Sequence, residues 1–191
     1  MAFTNTKSKE VHCKLLYFGA TGAGKLTSLR SIYRLTSLSY SSNIIDSNDR
    51  QPRWFSFLPV SLTHINDFHI KLHLYSANWD RVPKDSHFAL LQGVDGIVFV
   101  IDSRIEAMAS NFEAISQLKS LLLSIDKNLY DIPIVLQYNK RDLSDIVDTV
   151  TLTRQFNIFN CPEFESVATR SEGTMEALKG LSRIILSKLS F

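Results

Sequence analysis

Gly19-Ala20-Thr21-Gly22-Ala23-Gly24-Lys25-Leu26 follows an apolar run, Leu15-Leu16-Tyr17-Phe18, and opens a helix-compatible segment, Thr27 to Leu35. This is the strand, glycine loop, helix order of a phosphate-binding P-loop. Glycine lets the backbone curl with its N–H groups turned inward. The helix that follows adds the positive end of its dipole. Lys25 is placed to reach the β- and γ-phosphates. One position breaks the pattern. The motif calls for Ser or Thr after the lysine, because that hydroxyl coordinates Mg²⁺, and Leu26 has no oxygen to offer. Thr27 comes one residue late, about 100° further round the helix, and is expected to face elsewhere.

The rest of the chain supplies the setting. Its 191 residues, 45% hydrophobic and 21% charged, are ordinary globular composition with enough chain for one full core. A net charge of +2 gives no electrostatic argument for a nucleic-acid or membrane partner, and neither is expected. Cys13 and Cys161 are far apart in sequence, which excludes a disulfide framework and fits a reducing, cytoplasmic setting. Cys13 reads as a small buried residue of the first strand. No signal-peptide core, lipidation signal or apolar run of ~20 residues is present, so membrane association is expected only through a partner.

Hydrophobic patterning predicts strands at 11–18, 53–60, 68–75, 97–101, 132–138 and 164–168. It predicts helices at 25–37, 84–91, 106–125, 148–156 and 172–189. Residues 39–52 carry the weakest pattern. The runs at 97–101 and 132–138 are apolar throughout, as in strands buried on both faces of a parallel sheet. Strand-helix alternation therefore gives an α/β, doubly wound, mostly parallel sheet flanked by helices. In the 68–75 strand, Phe68, Ile70, Leu72 and Leu74 face one way. His69, Lys71, His73 and Tyr75 face the other. His69 and His73 would lie about 13 Å apart at ~3.3 Å per residue, too far for one metal, and read as solvent-facing. No metal site is expected. Stripes in the helices at 106–125 (Phe112, Ile115, Leu118, Leu122, Ile125) and 172–189 (Met175, Leu178, Leu181, Ile184, Ile185, Leu189) read as core.

Ligands in such sheets bind at the carboxyl ends of the strands. There stand Gly19, Asp102-Ser103 and Asn139-Lys140-Arg141-Asp142. The last matches the N-K-x-D element of guanine-nucleotide-binding proteins. A carboxylate at Asp142 accepts from guanine N1–H and its 2-amino group together. Adenine lacks that donor pair and leaves the carboxylate unpaired. The stem of Lys140 can cover the base plane. Asn139 can bridge back to the P-loop. Val167-Ala168-Thr169 stands where a backbone N–H can meet guanine O6, with Ala168 and Thr169 as candidates. The nucleotide-binding set is thus Gly19, Thr21, Gly22, Ala23, Gly24, Lys25, Leu26, Thr27, Asn139, Lys140, Asp142, Ala168 and Thr169.

At these residues the chain resembles the Ras-like small GTPases and, more closely, the MglA-type bacterial GTPases of cell polarity and gliding motility. The specific marks are Phe57-Leu58-Pro59, Leu72-His73-Leu74-Tyr75, Gly93-Val94-Asp95-Gly96-Ile97-Val98-Phe99-Val100, Asp102-Ser103 and Gln137-Tyr138-Asn139-Lys140-Arg141-Asp142-Leu143. The resemblance implies a single small-GTPase domain over 1–191, binding GTP and GDP with Mg²⁺. It also implies a polarity switch with a Roadblock-type MglB-like activator and RomR-like polarity proteins as partners, recruited to a cell pole. It places a built-in arginine finger in Asn48-Asp49-Arg50-Gln51-Pro52-Arg53, with Arg50 the catalytic candidate and Arg53 its competitor. There the family's threonine is missing. In the family's switch II a glycine and a glutamine stand where this chain has Trp79 and Asp80, in Ser76-Ala77-Asn78-Trp79-Asp80. Asp80 would repel phosphate oxygens, with Arg81 offsetting it in part. These departures predict slow or absent hydrolysis. The competing reading is a nucleotide-free scaffold that recruits polarity proteins. Trp54, Phe55 and Trp79 are candidates for a switch-region partner surface, although Trp54 and Phe55 point to opposite faces of one strand and at least one of them is expected in the core. A P-loop kinase has no lid segment or second substrate site to support it.

Overall fold

The computed structural model describes residues 3–5, 8–36, 45–46, 55–61, 67–158 and 160–189. Asn48 to Trp54, and with them Arg50 and Arg53, lie outside the described residues. The strands are β1 (Phe3–Asn5), β2 (Glu10–Phe18), β3 (Ile45–Asp46), β4 (Phe55–Ser61), β5 (His69–Ala77), β6 (Gly96–Asp102), β7 (Ile134–Asn139) and β8 (Glu163–Glu165). The α-helices are α1 (Lys25–Thr36), α2 (Lys84–Leu91), α3 (Met108–Leu123), α4 (Thr149–Phe156) and α5 (Thr174–Ser187). The strands form one sheet in the order β3-β4-β5-β2-β6-β7-β8, with β1 added to β2. β5, β2, β6, β7 and β8 run parallel, while β3, β4 and β1 pair antiparallel. This is the mostly parallel α/β sheet of the P-loop small-GTPase fold.

Register explains how the core divides. β5 lies beside β2 from Glu10 to Tyr17, whereas β6 joins it only from Leu15 to Phe18. Burial of β2 accordingly alternates at first and then becomes continuous, with Leu15, Leu16, Tyr17 and Phe18 all at 0% exposure. Every residue of β6 and β7 is buried, so helices cover both faces there. α5 sits close because Gly96 has no side chain. A Cβ there would lie 2.6 Å from Ile185 Cδ1. The chain returns from β2 to β5 on one side and from β5 to β6 on the other, so the P-loop opens at the sheet's switch point.

Several expectations need correction. The 106–125 helix is a 3₁₀ turn, Ile105–Ala107, followed by α3. Its buried line is Asn111, Ala114, Leu118 and Leu122, while Phe112 is 43% exposed beside Phe156. The last strand stops at Glu165, and Ala168–Arg170 is a 3₁₀ turn, because Val167 pairs back with Glu172. His69 is exposed as expected, whereas His73 is only partly exposed. Its face of the sheet is filled from the neighbouring strands. The His73 ring lies alongside Phe57, and its Nε2 is 2.9 Å from Nδ1 of His12. No three metal-ligating side chains gather among the described residues. Cys13 is buried, and burial pushes its thiol up to about 12. No described helix is long and apolar enough to cross a membrane.

Candidate functional site

Two loops at the carboxyl ends of β2 and β7 meet. The first is the glycine loop. Gly19 takes φ +143°, and a Cβ on it would stand 2.1 Å from Val100 O, so only glycine lets β2 turn against β6. Gly24 takes φ +104°, and its Cβ would stand 2.1 Å from Asn139 Nδ2. The loop thus has its shape partly because a side chain of the second loop occupies the space beside it. α1 then begins at Lys25, with the uncommitted N–H groups of a helical first turn at the loop's edge.

Lys25 is buried, and its ammonium donates to Gly19 O at 2.7 Å and Ala20 O at 2.8 Å. Burial lowers its pKa to about 8, against the pull of the Asp80 carboxylate, which raises it. Both partners are neutral carbonyls, so the charge stands in a desolvated cradle without a contacting anion in these bonds. Leu26 and Thr27 are both partly buried in the first turn.

The second loop starts where β7 ends. Asn139 is 3% exposed, and both ends of its amide are bonded. Its Nδ2 donates to Ala23 O at 2.8 Å, and its Oδ1 accepts from Ala168 N at 3.0 Å and Ser166 Oγ at 3.1 Å. One side chain therefore joins the glycine loop, β7 and the turn at Ala168. Behind it Gln137 Nε2 donates to Ser28 Oγ of α1 at 2.9 Å and to Ser166 Oγ at 3.0 Å. Sequence reasoning missed Gln137, Ser28 and Ser166. The available signal was a lone amide inside an apolar strand, since a buried amide needs partners.

Lys140 takes φ +66° and its Nζ donates to Asp102 Oδ2 at 2.7 Å. Arg104 holds the same carboxylate, with its Nη2 2.8 Å from Oδ2. Burial works to raise the Asp102 pKa, but hydrogen bonds from Arg104 and Lys140 outweigh it and hold the carboxyl below its ordinary value. Asn111, also missed in the sequence, clamps the end of β6 by donating to Asp102 O and accepting from Asp102 N. Asp142 keeps its side chain 20% exposed, with Arg170 Nη2 3.7 Å from its Oδ2. The Ala168 N–H is turned inward to Asn139, whereas Thr169 is exposed.

The segment after β5 closes one side of the loop. Trp79 was a candidate for an exposed partner surface. It is instead 4% exposed, packed 5.0 Å from the Phe18 ring and 5.4 Å from His87 between centroids. The apolar end of β2 offers it a better place than water does. Asp80, next to it, is exposed and accepts from Thr21 Oγ1 at 2.7 Å. A cavity of about 310 Å³ lies between this segment, the glycine loop and α3, lined among others by Gly19, Trp79 and Glu113.

Comparison with known protein families returns no matching family model. Comparison with characterised proteins finds the mutual gliding-motility protein MglA of Myxococcus xanthus, 37% identical over 99% of this chain and 98% of the relative. The chain belongs to the MglA family. The match runs over nearly the full length of both chains. The sequence marks of the MglA type are spread over the sheet, and one of them falls on this site. Phe57-Leu58-Pro59 lies on β4, Leu72-His73-Leu74-Tyr75 on β5, and Asn139-Lys140-Arg141-Asp142 at the end of β7.

Proposed function

We propose that this chain is a guanine-nucleotide-binding GTPase-type protein of cell polarity and gliding motility, with slow or absent GTP hydrolysis. The observation that carries this reading is Asn139, which ties the phosphate loop at Ala23 to the base loop at Ala168. A bond of that kind sets the distance between a phosphate cradle and a base-reading carboxylate. In this reading Gly19 to Gly24 and Thr27 surround the phosphates, Lys25 neutralises them, Lys140 covers the base and Asp142 selects guanine. Thr169 is the better candidate for O6, because the Ala168 N–H already serves Asn139. Mg²⁺ fits less well, since Leu26 brings no oxygen to its usual place. Arg50 remains the proposed arginine finger. An MglB-like Roadblock activator and RomR-like polarity proteins are the proposed partners, with a cytoplasmic protein recruited to the pole through them.

The nucleotide-free scaffold has one observation in its favour. Lys25 donates to loop carbonyls and Asp142 faces Arg170, so both charged groups have partners within the chain. Denaturing freshly purified protein and identifying the released nucleotide by chromatography separates the two. Stoichiometric guanine nucleotide is the expected result. Empty protein that also fails to take up added GTP or GDP would establish the scaffold.

The metal departure has its own test. Leu26→Thr returns a hydroxyl to the first turn of α1. It is expected to raise the ratio of GTP affinity with Mg²⁺ to that in chelator by on the order of tenfold over the parent, read by titration calorimetry. An unchanged ratio would show that Leu26 is not what weakens the metal site.

A further inference from the structure

We infer that the pocket, taken as the guanine-nucleotide site proposed above, is selective for the diphosphate, and that the Asp80 carboxylate is the group that excludes the third phosphate. Thr21 stands at the exposed lip of the glycine loop. Its hydroxyl has two acceptors nearby, Asp80 Oδ2 at 2.7 Å and Asn78 Oδ1 at 3.3 Å. A hydroxyl has one hydrogen to give, and the shorter, charge-assisted bond takes it. An anionic oxygen is therefore held at the lip of the loop that is to receive phosphate.

The same carboxylate reaches Lys25. It is the charge that raises the Lys25 pKa against burial, so its field extends across the loop to the cation that a terminal phosphate has to share. A triphosphate brings about one more negative charge than a diphosphate to this end of the site. At separations of about 5 Å and the effective dielectric of a protein surface, one like-charge contact weakens binding roughly tenfold or more.

The carboxylate is not free to withdraw with its backbone. Trp79 precedes it and is packed on Phe18 and His87, so moving the segment outward exposes a large aromatic surface. Arg81 N and Val82 N both donate to Asn78 O, which closes the turn that presents Asp80. Leu26 acts in the same direction, because a metal held less well neutralises less of the added charge. Both departures fall on the third phosphate, while Lys25, Asn139 and Asp142 are retained. The chain is thus built to hold one nucleotide form rather than to alternate between two.

Calorimetric titration of nucleotide-stripped protein with GDP and with the non-hydrolysable β,γ-imido analogue of GTP, both with Mg²⁺, tests this. GDP is expected to bind at least about tenfold more tightly to the parent, and the gap should narrow as salt rises, because the discrimination is between charges. In Asp80→Asn, which keeps shape and removes charge, the analogue should gain about tenfold while GDP moves less than about threefold. Equal affinities for both nucleotides in the parent would overturn the diphosphate selectivity and leave the nucleotide reading standing. A GDP preference that Asp80→Asn leaves unchanged, whatever its response to salt, would overturn the assignment to Asp80 and leave the selectivity without this source. Failure of the parent to bind either nucleotide would overturn the proposed function, and this inference with it. Melting curves of the parent and Asp80→Asn, expected to coincide within a few degrees, show that the comparison is between folded proteins.

Discussion

Asp142→Asn is expected to lower guanine-nucleotide affinity by roughly 10²–10³-fold and to create affinity for the matching xanthine nucleotide. The size follows from two charge-assisted hydrogen bonds, each contributing about 1.5–3 kcal/mol, of which the variant keeps at most one in weaker form. An asparagine amide offers one acceptor and one donor. Guanine presents two donors at N1 and the 2-amino group, so one contact becomes donor against donor. Xanthine has a carbonyl in place of the amino group and restores the match. The carboxylate faces Arg170, whose guanidinium carries the same kind of N–H donors as the guanine edge. That pair is 3.7 Å apart and Arg170 is 61% exposed, so it stabilises by little and yields readily to a base. Competition titrations with GDP and xanthosine diphosphate on parent and variant check the prediction. Equal GDP affinity in both proteins would remove Asp142 from the base pocket.

How far the site could be read from sequence depended on the kind of constraint each residue carries. The turn at the glycine loop and the meeting of Asn139 with it were legible because local backbone geometry and hydrogen-bonding demand fix those residue types. Gly19 and Gly24 cannot hold a side chain at all. Asn139 needs both a donor and an acceptor on one short stem. The parallel sheet was legible from the apolar runs of β6 and β7, which occur only where both faces are covered. β1 and β3, of three and two residues, are too short to carry a period. Strand order was also beyond reach, because it depends on which edge of β2 each crossover returns to.

His73 and Trp79 show a different limit. Alternation placed His73 on the polar face of β5 correctly. Whether that face meets water was decided by Phe57 and His12 from other strands. Trp79 sits among polar residues in a connection, a context that suggests exposure. It is buried because β2 ends in Phe18 directly beneath it. In both cases the local pattern fixes direction, and tertiary neighbours fix environment.

Asn139→Ala should produce the largest loss of stability at the site. The side chain is 3% exposed and serves three buried or loop groups: Ala23 O, Ala168 N and Ser166 Oγ. Alanine removes the donor from the first and the acceptor from the other two. Each polar group left buried and unpaired costs about 1–3 kcal/mol. Ser166 Oγ also lies 3.4 Å from Tyr138 O and can turn to it, so its share is small. The remaining two groups set the total at roughly 2–6 kcal/mol, enough to be read directly from a denaturant midpoint at unchanged slope. Asn139→Asp separates shape from bonding. It keeps the acceptor for Ala168 N and Ser166 Oγ but sets an anionic oxygen against Ala23 O. If Asn139 acts as a tie between two loops, the aspartate should lose the glycine-loop side of the connection and be destabilised as well, although it preserves the base-loop side. A midpoint for Asn139→Ala within experimental error of the parent would mean that the two loops hold their spacing without it. The geometric argument for a shared phosphate and base pocket would then have to rest on the sheet alone.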